Sequence, residues 1–144
     1  MQTQEDVAQQ AGDLMRQGYH CSEAVTLAVG EYLFGELDDT VRRISNGFGG
    51  GMGNTRQETC GILSGSMLII GLRHGRTDVS QDDNRCLEVA ARCLEQFHAT
   101  FGATRCSDLR SQGYGSGGTT PCSVLAERAV RVLLPVLNSS GETL

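Results

Sequence analysis

Lysine and tryptophan are absent from the chain, and all 12 basic residues are arginine. Without lysine there is no phosphate-gripping P-loop lysine and no Schiff-base amine, so chemistry that depends on either is excluded. Basic runs are missing too, and 17 acidic residues leave a formal net charge of −5. A sequence-independent grip on nucleic acid works by neutralising phosphates, and this balance argues against it. Only two prolines occur, so the chain does not read as disordered. The longest apolar stretch, Cys60 to Leu72, is broken by glycine and serine and is too short to span a bilayer. Met1 to Gly12 is polar and acidic, with no basic start followed by an apolar stretch, so no signal peptide is expected. The expected location is the cytoplasm, where thiols are normally reduced.

Convincing period-two alternation is also lacking, so no strand of consequence is expected. Helical periodicity fills the chain instead. Glu5–Gln17 carries one apolar stripe through Val7, Ala8, Ala11, Leu14 and Met15. Cys21–Phe34 follows, then a short helix over Asp39–Ser45 with Asp38 or Asp39 as its cap. Glu58–Leu72 is apolar on every side and reads as a buried central helix, with Gly61, Ser64, Gly65 and Ser66 allowing close backbone approach. Ser80–Phe101 is the longest helix, with Ser80 and Asp83 as a capping pair. Cys106–Arg110 is a single turn. The last helix is capped by Thr120, has Pro121 at its first position and runs to about Leu137, with Pro135 kinking or ending it. The expected fold is all-α: one helical-bundle domain over residues 1–144, of five to seven helices around Glu58–Leu72.

What the chain has in excess is glycine, 19 residues, together with six cysteines. Cys21, Cys60, Cys106 and Cys122 each fall in the first turn of a predicted helix. Unpaired N–H groups and the positive end of the helix dipole favour thiolate over thiol there, so lowered thiol pKa values are expected. Cys86 and Cys93 lie seven apart in the middle of the long helix and read as small buried hydrophobes. No C-x-x-C occurs, which removes the thioredoxin-type motif and the usual zinc knuckles. The run Gly47–Gly53 fits no G-x-G-x-x-G register and follows no predicted strand, so it does not read as a dinucleotide site. A loop whose backbone lets a cysteine or a cofactor come close is the better reading, and Gly49, Gly50, Gly51 and Gly61 are its candidate cofactor-binding positions. His20 beside Cys21 reads either as a ligand or proton partner or, more often for such a position, as a solvated histidine. Arg105 is placed to stabilise a Cys106 thiolate, or is simply a surface arginine.

Taken together, Gly18-Tyr19-His20-Cys21-Ser22-Glu23-Ala24-Val25, Arg43 to Gly53, Cys60-Gly61-Ile62-Leu63-Ser64-Gly65, Leu72-Arg73-His74-Gly75, Phe97 to Cys106-Ser107-Asp108-Leu109 and Pro121-Cys122 resemble the C_GCAxxG_C_C family of redox-active proteins. The segments cover nearly the whole chain in order. Ile62 stands where the family usually has alanine, and Cys86 and Cys93 have no counterpart in the pattern. The resemblance implies a helical domain of this length with a redox role, and with it some relatives joined to electron-transfer modules, which favours electron traffic.

Three readings of the four cysteines stay open at this stage. They hold an iron–sulfur cluster for electron transfer, they cycle as disulfide pairs with Cys60 as attacker, or they hold structural zinc or fixed disulfides. The expected partner is a redox protein whose identity the sequence does not disclose. A symmetric homodimer is the default for a domain of this size.

Overall fold

The computed structural model describes residues 1–138; the last six positions of the expected domain lie outside the described residues. Seven α-helices follow one another: α1 (Gln4–Arg16), α2 (Cys21–Phe34), α3 (Asp39–Ile44), α4 (Gly61–His74), α5 (Asn84–Phe101), α6 (Cys106–Ser111) and α7 (Cys122–Leu137). A single 3-10 turn at Asn46–Phe48 follows α3. Among the described residues there are no named strands, only two isolated β-bridges. The fold is all-α.

The helices begin where local chemistry stops the preceding conformation. Thr3 caps α1 by accepting from the Asp6 amide at 3.1 Å, and the Asp6 carboxylate accepts from the Thr3 amide at 2.8 Å, a reciprocal box that satisfies two otherwise unpaired N–H groups. Asp38 caps α3, its carboxylate accepting from the Val41 amide at 3.0 Å. Three expected starts are corrected. The central helix begins at Gly61 and not Glu58, because Glu58 and Thr59 are held in an extended pairing with the chain before Cys106. The long helix begins at Asn84, because Ser80 is engaged with the Asp78 carboxylate and Asp83 makes no side-chain cap bond. Pro121 is the cap residue of α7 and not its first turn residue, because Thr120 is engaged in a bridge with Tyr114. Pro135 does not end α7, which continues to Leu137.

Burial follows the stripes. On α5, Val89, Cys93 and Phe97 recur every four residues and are fully buried, while Leu87 and Leu94 face outward. The core joins the inner faces of α1, α2, α4, α5 and α7. Helix α4 packs on α2, α5 and α7, which is the central position expected of it. Its burial is confined to the stretch before Gly71; Leu72 is 44% exposed as the last turn emerges. Two glycines set the α2–α4 crossing. A methyl group on Gly65 would come within 2.8 Å of the Ser22 carbonyl oxygen, and one on Gly61 would overlap Cys21 Sγ. Small residues four apart thus bring two helix backbones together, and with them the starts of α2 and α4.

Candidate functional site

Each of the four cysteines is placed by a separate local device. Cys21, Cys106 and Cys122 are the first residues of α2, α6 and α7, and Cys60 is the cap residue of α4. Cys21 sits where the Gly18 break, at φ +114°, turns the chain into α2, and its sulfur lies against the bare backbone of Gly61. Cys60 and Cys106 are 46 positions apart in sequence but are clamped by two backbone hydrogen bonds. The Cys60 amide donates to the Thr104 carbonyl at 2.8 Å, and the Cys106 amide donates to the Glu58 carbonyl at 2.7 Å. Cys122 follows the second glycine loop, closed by the Gly115 amide donating to the Thr120 carbonyl at 2.8 Å and the Thr120 amide donating to the Gly113 carbonyl at 3.0 Å.

The result is one cavity of about 160 Å3 lined by all four of these residues. Cys86 and Cys93 do not line it. Cys93 is fully buried in the core beside Ser66, as expected of a small hydrophobe, and Cys86 is half-buried at its edge. All six cysteines are free thiols. The remaining wall combines apolar groups (Met15, Ile62, Leu109, Leu125) with Tyr19, His20, Asn54, Arg56, Arg110 and Tyr114. The family's usual alanine position, filled here by Ile62, is therefore a wall of the cavity as well as core, at 1% exposure.

The glycines proposed for a cofactor divide. Gly50 and Gly61 line the cavity. Gly51 backs Cys106, whose Cβ would lie 2.7 Å from a methyl placed there. Gly49 backs the His20 ring, 2.7 Å from its Cγ on the same test. Sequence inspection missed Gly115, which seats both Cys122 Sγ, at 3.4 Å, and the Arg110 guanidinium. Glycine at these points leaves room for what packs there: the Cys21 sulfur at Gly61, the Cys106 Cβ and Arg56 backbone at Gly51, the His20 side chain at Gly49 and the Arg110 guanidinium at Gly115.

The first glycine loop has an unusual conformation. Gly50, Gly51, Met52, Gly53 and Asn54 all have φ between 57° and 69°, five consecutive left-handed residues, and Arg56 follows at 64°. Left-handed backbone is unfavourable for residues with a Cβ, so this turn is held by its surroundings. The Arg56 amide donates to the Gly50 carbonyl at 2.8 Å, and the Asn54 amide donates to the Gly49 carbonyl at 3.0 Å.

Electrostatics correct one expectation. The thiols of Cys60, Cys106 and Cys122 are pushed up from the ordinary range, not down. Burial is the main cause at all three. Cys21 adds to it at each, Cys106 adds to it at Cys60 and Cys122, and Cys60 is raised furthest. The helix-start effect is present: the amides of Ile62 and Leu63 draw the Cys60 thiol down, but loss of water outweighs them. The intended attacker is thus the most deeply buried of the four. Arg105 does not stabilise Cys106; its Nε donates to the Gln57 carbonyl at 3.2 Å and its guanidinium faces Glu58. Arg56 and Arg110 are the cations that favour the Cys106 and Cys122 thiolates. Arg110 was legible as the residue one helical turn after Cys106; Arg56, reached only through the left-handed loop, was not.

Among the described residues, no three His, Cys, Asp or Glu side chains are already gathered as a ligand set for a metal ion. The four thiols instead stand around a shared space. No described helix is long and apolar enough to cross a membrane. No curated protein and no solved structure matches the chain. The family model described as "Putative redox-active protein (C_GCAxxG_C_C)" matches residues 19–135, a span that takes in all four cavity cysteines and both glycine loops. The chain belongs to the C_GCAxxG_C_C family.

Proposed function

We propose that this redox-active family member is an electron-transfer protein whose four helix-start cysteines, Cys21, Cys60, Cys106 and Cys122, hold an iron–sulfur cluster. The observation that carries the reading is that these four, and neither of the other two cysteines, line one cavity. A single zinc ion needs its sulfurs drawn into a tight tetrahedron, and a disulfide needs two of them in contact. Thiols spread around a cavity of about 160 Å3 suit a larger group bridged to several of them. The donor set is chemically apt, since thiolates are the protein ligands of such clusters. When bound, the cluster would supply one-electron chemistry. The protein's own part is to hold four sulfurs on rigid helix starts, to exclude water with Ile62, Leu109 and Leu125, and to aim the Ile62 and Leu63 amides at Cys60. Hydrogen bonds of that kind tune a cluster's potential.

The test is purification without oxygen, followed by iron and acid-labile sulfide analysis and visible absorption. Coloured protein with both elements is expected. The signal should be lost on Cys60→Ser, Cys21→Ser, Cys106→Ser or Cys122→Ser and kept on Cys86→Ala and Cys93→Ala. Zinc alone, or disulfides without metal, would replace this reading with one of the other two. Four free, slowly reacting thiols and no metal would sink all three.

A further inference from the structure

We propose that Arg56 and Arg110 form a binding site for a small oxyanion at the rim of the cysteine cavity. The charged side chains lining the cavity are these two arginines, and no carboxylate lines it, in a chain that carries more acidic than basic residues. Among the described residues there are seven ion pairs, and neither Arg56 nor Arg110 takes part in any of them. Two guanidinium groups converging on one concavity without a countercharge is an arrangement that an anion completes, because each fork matches two oxygens of one oxyanion.

Arg110 is held by its loop, and the Arg56 backbone is held by the left-handed turn. Arg110 Nη2 donates to the Ser116 carbonyl at 3.0 Å and contacts Ser116 Oγ at 3.2 Å, and the group rests on Gly115 beside Cys122 Sγ. Its Nη1 and Nε make no hydrogen bond among the described residues, so they retain donors for an oxyanion. Arg56 sits at the end of the left-handed turn with φ +64°, a conformation that costs free energy for any residue with a Cβ. Only glycine would relieve that cost, and here an arginine bears it with its side chain on the cavity wall. The backbone of Gly51 has no side chain, and Arg56 Cα packs 3.2 Å from where one would be. In the metal-free chain a cavity of about 160 Å3 admits a small polyatomic anion and is too small for a nucleotide or a peptide. The rim position would set such an anion against the Cys106 and Cys122 sulfurs.

This inference goes beyond the metal–sulfur reading and does not depend on it. It is therefore tested on the metal-free, thiol-reduced full chain, with inorganic phosphate as the probe in calorimetric titration at constant ionic strength. Saturable binding is expected, weakened about tenfold or more in Arg56→Gln and in Arg110→Gln. Arg110→Lys keeps the charge and loses the fork, so it should retain part of the affinity. Arg43→Gln, an exposed arginine on α3, should bind as the parent does. Absence of saturable phosphate binding by the parent chain overturns the proposal. So does an unchanged affinity in both glutamine variants. Should Arg110→Gln fail to fold by circular dichroism, Arg56→Gln, on the exposed loop, decides the matter alone.

Discussion

A single methyl group decides whether the cavity can exist at Gly61. That residue is in the first turn of α4, and an alanine Cβ would overlap Cys21 Sγ. Gly61→Ala is expected to destabilise the fold by about 1–3 kcal/mol through overpacking. It should also displace Cys21, so on the proposed cluster reading the iron content should fall together with the melting temperature. A melting temperature equal to the parent's would show that the α2–α4 crossing is looser than described. The buried thiols give a second expectation at this scale. Burial holds the Cys60, Cys106 and Cys122 thiols above their ordinary value and pushes the Cys93 thiol up to about 12. The folded state then keeps protons that the unfolded chain releases near about 8.5. Their contribution to stability is fully present below that value and is lost as pH rises through the folded values. Metal-free, reduced protein should therefore melt at progressively lower temperature above about pH 9. A melting temperature that stays flat from neutral to strongly alkaline pH would contradict it.

At the scale of the element, the starts of helices matter more than their lengths. Cys21, Cys106 and Cys122 begin α2, α6 and α7 as the hydrophobic stripes and breaks indicate. The loop before Cys60 was different. Its glycines were visible, but five left-handed residues in a row could not be read from them, since glycine permits that conformation without imposing it. Met52 bears the cost most plainly, at φ +66° and 40% exposed. Met52→Gly is expected to stabilise the protein, by up to about 1 kcal/mol once the added freedom of the unfolded chain is subtracted. Denaturant melts of the two proteins check the sign. A clear loss of stability would mean that the Met52 side chain makes contacts worth more than the strain.

For the molecule as a whole, α7, the last of the described helices, is joined to the first. It packs along α1, and Gly12 on α1 leaves room for the Glu127 side chain, which is buried and pairs with Arg16 at 2.8 Å. Gly12→Ala would displace the Glu127 carboxylate from its buried place beside Arg16. A destabilisation of about 1–3 kcal/mol is expected. Because one core joins α1, α2, α4, α5 and α7, the loss should appear as a shift of one cooperative transition. Separate melting of α1 would show it to be independent of α7.

The sequence by itself determined the helices, their order and the division of six cysteines into four and two. Those follow from 3.6-residue periodicity and from breaks at Gly18 and the two glycine loops, all of them local signals. Cys93 on the buried stripe of α5 with Val89 and Phe97 was legible in the same way. What only the tertiary structure decided was the placing of the four cysteines around one cavity. Cys60 and Cys106 meet through hydrogen bonds between chain segments 46 positions apart, and no local pattern encodes such a pairing. Tertiary burial also reversed the sense of the Cys60, Cys106 and Cys122 thiol shifts. A helix start favours thiolate through nearby amides, but the same packing that brings four helix starts together removes the water that would solvate the charge.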